Sequence, residues 1–146
     1  MTKSNSVWVL VADAKCGRLL HCSQTELGSA HVKQADRIEP EPQAYEHGKP
    51  SPRAGRTGTT SQDHESEEET RRFARTLTNW TKQKMDDLQV PRLVLFAPPR
   101  FLGALRKVSN GHGLNGRVEQ KEADLTSLTV EQLTKHRSIR SLIGVD

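Results

Sequence analysis

Residues 6–14 read SVWVLVADA, and Val7 to Ala12 form the longest apolar run in the chain. A strand with one wet face alternates apolar and polar residues. This run does not alternate, so it reads as a strand buried on both faces. Asp13 to Gly17 supply a turn with Asp13 as its cap, and RLLHC (Arg18 to Cys22) reads as the hairpin partner. A weaker third strand is expected in SAHVKQADRIEP, where Ala30, Val32 and Ile38 are apolar and Pro40 and Pro42 close the segment.

Downstream the period changes. An amphipathic helix is expected from about Asp63 to Leu88, with Phe73, Leu77, Trp80 and Leu88 on one face and Ala74 and Met85 beside them. Glu67 with Arg71, and Glu68 with Arg72, have the favourable i,i+4 order. Arg92 to Ala97 read as a strand, and a helix follows with Pro99 in its first turn and a stop at Asn110-Gly111. NGRVEQKEA gives a further strand. TVEQLTKHR gives a helix opened by a capping box, with Thr129 as cap and Gln132 three residues on. The expected architecture is α/β: a mixed sheet of about five strands with three helices packed on it, all in one domain spanning 1–146.

The chain has 146 residues and a formal charge of +4. Its mean hydropathy of −0.72 is low, so part of it is expected to be solvated loop. The apolar run is too short for a signal-peptide core or a membrane span, which points to a soluble, cytoplasmic protein with no membrane partner. Cys16 and Cys22 lack metal-pair and redox CxxC spacing and read as small core residues of a reduced protein. The six histidines show no metal-ligand spacing, and no nucleophile stands in a catalytic context, so no metal, cofactor or catalytic residue is expected. GHGLNG, 111–116, matches GxGxxG. It follows a helix and precedes a strand, the reverse of a dinucleotide site.

Two segments are candidates for function. From Pro40 to about Gln62 nothing is periodic, and the stretch holds four prolines and three glycines. Lys49, Arg53 and Arg56 place three cations there, and Gly55 and Gly58 let backbone come close to a ligand. Such a loop is fitted either to contact RNA phosphates or to serve as a solvated linker. In APPRFLGALR (Ala97 to Arg106), Arg100 and Arg106 near a helix start would suit a phosphate. The alternative is packing, with Phe101, Leu102 and Leu105 on the sheet and Gly103 permitting close helix approach.

Four stretches together, WVLVADAKCGRLL, EEETRRFARTLTNWT, LVLFAPPRFLGALR and EADLTSLTVEQL, resemble the bacterial host-attachment protein family over nearly the whole chain. That family is similar in turn to the middle domain of archaeal and eukaryotic class-one peptide release factors. The resemblance implies a hairpin, then a long exposed loop, then a long helix. It implies a loop directed at RNA or ribosomes. Release factors carry Gly-Gly-Gln at the loop tip, whereas this chain has Gly55-Arg56-Thr57-Gly58, and Gln62 is the only glutamine between the third strand and the helix that lies near that tip. The expected function is non-enzymatic RNA or ribosome binding through Lys49, Arg53, Gly55, Arg56, Gly58, Gln62, Arg100 and Arg106. The alternatives are a peptidyl- or aminoacyl-tRNA hydrolase using Gln62, and a protein-interaction module with an indirect role in attachment to host cells. The sequence leaves the oligomeric state open.

Overall fold

The computed structural model describes residues 6–40, 59–109 and 117–144. Five strands form one sheet: β1 (Ser6–Asp13), β2 (Cys16–Gln24), β3 (Ala30–Ile38), β4 (Leu93–Ala97) and β5 (Val118–Glu122). Their order across the sheet is β3-β2-β1-β4-β5. β1 pairs antiparallel with β2 and parallel with β4, and β5 pairs parallel with β4. The mixed five-stranded sheet is the expected one. Among the described residues the helices are four rather than three: α1 (Thr59–Asp87), α2 (Pro99–Ser109), α3 (Val130–Lys135) and α4 (Arg137–Leu142).

β1 is the axis of the molecule. Val9, Leu10, Val11 and Ala12 are each at most 1% exposed. Because successive strand side chains point to opposite faces, Leu10 and Ala12 join one core and Val9 and Val11 another. The first core packs α1 and α2 on the sheet through Phe73, Leu77, Met85, Phe101, Leu102 and Leu105. The second packs the 125–143 segment on the other face through Leu125, Leu133, Ile139 and Ile143. β4 is buried along its whole length for the same reason.

Local chemistry sets the boundaries. The β1–β2 turn is only Ala14-Lys15, so Gly17 belongs to β2, paired with Ala12 and Ile38, and not to the turn. Its lack of a side chain has a packing cause: a Cβ there would lie 2.6 Å from Leu77 Cδ1 and 3.2 Å from Ile38 Cγ2. α1 thus sits directly on the β2 backbone. α1 begins at Thr59 rather than Asp63, which takes Gln62 out of the loop and into the helix. At its other end Gln89 adopts φ 56°, with Val90 N donating to Met85 O at 2.8 Å and Gln89 N to Asp86 O at 3.3 Å. That is a left-handed helix stop, and it leaves Leu88 beyond the helix and 44% exposed instead of on the buried stripe.

The expected last helix, TVEQLTKHR, ends at Lys135, and after His136 comes α4, a helix the sequence pattern did not show. The His136 backbone is extended (φ −76°, ψ 134°), and its Nδ1 accepts from Ser138 N at 3.1 Å, ending α3 and capping α4. The capping box of α3 is present: Thr129 Oγ1 accepts from Gln132 N, and Gln132 Oε1 from Thr129 N. On the β3 edge Asp36 holds Lys84 of α1 in an ion pair. That bond and the Arg37 amide hold the Asp36 carboxyl below the usual carboxylate range. Among the described residues no helix is long and apolar enough to cross a membrane.

The close approach at Gly17 makes a direct prediction. Gly17→Ala places a methyl against the buried Leu77 and is expected to lower unfolding stability by about 1–3 kcal/mol, read as a lower urea midpoint at unchanged slope. An unchanged midpoint would show that α1 does not rest on β2 at this point.

Candidate functional site

Two polar constellations stand out, and their chemistry differs. The first ties the β1–β2 hairpin to the segment before α3. Asp13 Oδ1 accepts from Lys15 N (2.8 Å) and Cys16 N (3.0 Å), and its Oδ2 accepts from Thr126 Oγ1 (2.7 Å). Arg18, only 6% exposed, donates through Nη1 to Thr126 O (3.0 Å) and Leu128 O (2.6 Å), and through Nε to Gln34 Oε1 (2.7 Å). Asp13 is therefore the turn cap the sequence implied, and more. Its second oxygen and the Arg18 guanidinium staple residues 126–128 to the hairpin. Burial pulls the Arg18 pKa down, and no described carboxylate pairs with it, so neutral oxygens alone compensate its charge. The oxygens of Asp13 are committed to bonds within the fold, which makes this constellation a staple and not a reaction centre.

The second constellation is open. A cleft of about 480 Å³ lies between the first half of α1 and one face of α2, lined by Glu67, Thr70, Arg71, Arg100, Gly103, Ala104 and Lys107. The α2 residues fall at i, i+3, i+4 and i+7, one side of the helix. The opposite side, Phe101, Leu102 and Leu105, is buried on the sheet. Phe73 of α1 and Phe101 of α2 stack with ring centroids 6.0 Å apart, which fixes the two helices side by side. Three cations and one carboxylate therefore face the same cleft. Arg71 is shared with Glu68 through a weak surface contact of 3.4 Å. Glu68 thus takes the place of Glu67, the partner its spacing implied. Arg100 and Lys107 have no ion-pair partner among the described residues.

The candidate residues separate accordingly. Arg100 lies in the cleft. Arg106 does not: it is exposed on the far side of α2, where its Nε donates to Gln120 Oε1 of β5 at 3.1 Å. Gly103 is not at a helix contact, since a Cβ there would meet nothing within 4 Å; this corrects the packing reading. Gln62 lies in the α1 backbone. Lys49, Arg53, Gly55, Arg56 and Gly58 lie outside the described residues. The cleft residues missed in the sequence are Thr70 and Lys107, together with Glu67 and Arg71 in any role beyond a helix pair. The signal for Lys107 was present: it repeats Arg100 one helical face along, with only Gly103 and Ala104 between.

Both thiols are buried and held above the ordinary cysteine range. Burial pushes Cys22 up to about 12. Burial, and after it the Asp13 carboxylate, raises Cys16. Alkylation of the native protein at pH 8 is therefore expected to leave Cys22 unmodified and to proceed only after unfolding, as mass spectrometry of the intact chain would show. Rapid labelling of Cys22 in the native protein would contradict its burial.

A family model described as "Protein required for attachment to host cells" matches residues 8–136. No curated protein matches the chain. Among solved structures, the crystal structure of the Aquifex aeolicus member of the Ppx/GppA protein family is similar at TM-score 0.43 and 14% identity. A second structure, of the Aquifex aeolicus PPX-GPPA enzyme, is similar at 0.44 and 15%. Each match covers 82% of this chain and 36% of the other, so this chain spans little more than a third of their length.

Proposed function

The chain belongs to the family of proteins required for attachment to host cells, and for this member we propose a non-enzymatic role in which it binds RNA through phosphate. The observation that carries the reading is the cleft between α1 and α2, where Arg100 and Lys107 have no ion-pair partner among the described residues and Glu67 is the one described carboxylate in the lining. Guanidinium and ammonium groups left unpaired beside a cavity favour an anionic ligand, and an arginine fork suits phosphate oxygens. In the sequence, Lys49, Arg53 and Arg56, with glycines at 55 and 58, precede α1. Among the described residues the cleft has no aromatic lining residue. Bases would then have no stacking platform, and the backbone, not the sequence, would be recognised. Ribosomal RNA is the abundant form of such a ligand.

The hydrolase alternative rested on Gln62 and on the fold analogy, and the backbone of Gln62 lies in α1. Filter binding of single-stranded RNA across a salt series tests the proposal. Affinity should fall steeply with salt, and the double variant Arg100→Ala/Lys107→Ala should bind more weakly, with a log–log slope shallower by about 1.4 if each cation meets one phosphate. No binding at low salt, or an unchanged slope in the variant, would overturn it.

A further inference from the structure

Gly103 is the feature the fold does not explain. It sits in the interior of α2, where glycine is about the least favourable residue after proline. Its φ is not in the left-handed region, so no backbone constraint calls for it. No described atom comes within 4 Å of where its Cβ would be, so no close approach calls for it either. Gly17, by contrast, is forced by Leu77 and Ile38. An alanine at 103 would fit and would steady the helix. The missing side chain nevertheless opens directly into the cleft, between Arg100 three residues before it and Lys107 four residues after.

We infer that Gly103 is an affinity-determining position: it keeps open the seat in which an RNA phosphate rests against α2, flanked by Arg100 and Lys107. This rests on the RNA-binding reading and sharpens it to one spot. The two cations are separated by about 10 Å along the helix axis, and both line the cleft together with the residues between them on that face. Those residues are the smallest available, Gly103 and Ala104. Across the cleft Thr70 offers a hydroxyl and Arg71 a third cation. The cleft, about 480 Å³ and open to solvent, has room for a phosphate against α2. A methyl group on Gly103 would occupy the point of closest approach. A phosphate held 1 Å or more further out would lose the short charge-assisted contacts that a seated one makes.

The test uses Gly103→Ala in the full chain, with a short fluorescent single-stranded RNA of mixed sequence as probe. Its melting temperature is expected to rise by about 2–4 °C, because alanine replaces glycine in a helix interior without a clash. Its affinity for the RNA is expected to fall about tenfold, the scale on which one methyl group is felt in a fitted site. Gain of stability with loss of binding supports the inference, since a purely structural glycine would not produce that pair of effects. Affinity equal to the wild type overturns the inference, and leaves RNA binding to stand on the Arg100 and Lys107 salt response. A lowered melting temperature would mean that position 103 is packed, and also overturns it. Failure of the wild-type protein to bind the RNA at low salt removes both readings together.

Discussion

The structure depends on covering β1 from both sides. A strand as apolar as Val7 to Ala12 cannot face water on either surface, and burying each large side chain removes about 1.5–3 kcal/mol of exposure cost. Leu10 and Ala12 therefore draw α1 and α2 to one face, and Val9 and Val11 draw the 125–143 segment to the other. The parallel pairing of β1 with β4 places two such strands side by side at the centre of the sheet. The polar strands β3 and β5 fall at its edges. Charged edge residues such as Lys33, Arg37, Lys121 and Glu122 discourage further strand pairing there.

Two devices hold the layers in register. On one face Gly17 lets α1 settle onto β2, and Phe73 on Phe101 locks α1 to α2. At the end of β1 the Asp13 and Arg18 staple pins residues 126–128. With both helices seated by their apolar sides, the remaining polar side of α2 faces the first half of α1 across the cleft. The cationic surface thus follows from the core: whatever is not needed to cover β1 and β4 is left to line the space between the helices.

Much of this was legible. The non-alternating run gave β1 its two buried faces. The PP dipeptide marked the start of α2, where Leu102 N donates to Pro98 O at 3.0 Å and Pro99 occupies the first turn. The capping box of α3 could be read from two residues. Other features were not legible, for identifiable reasons. A glycine just after a turn signals either turn geometry or close approach, and only the position of Leu77 decides between them. Thr59, Thr60 and Ser61 have low helix preference, so the extension of α1 has little local signature. His136 breaks a helical pattern by capping with its own ring, which the apolar periodicity does not register. Of the three cations in the candidate site, Arg100 was the one visible as a ligand contact. The packing alternative holds for Phe101, Leu102 and Leu105 but not for Gly103, because helical spacing shows which residues share a face but not whether another element covers it.

The central claim is that RNA phosphate binds in the cleft between α1 and α2. Ultraviolet crosslinking of the intact protein to single-stranded RNA, with adducts mapped by mass spectrometry, tests it most directly. The account predicts adducts concentrated on the segments 67–75 and 98–109, which form the two walls. Crosslinks confined to the β3 edge or to the 125–143 side of the sheet, with both walls unmodified, would contradict it.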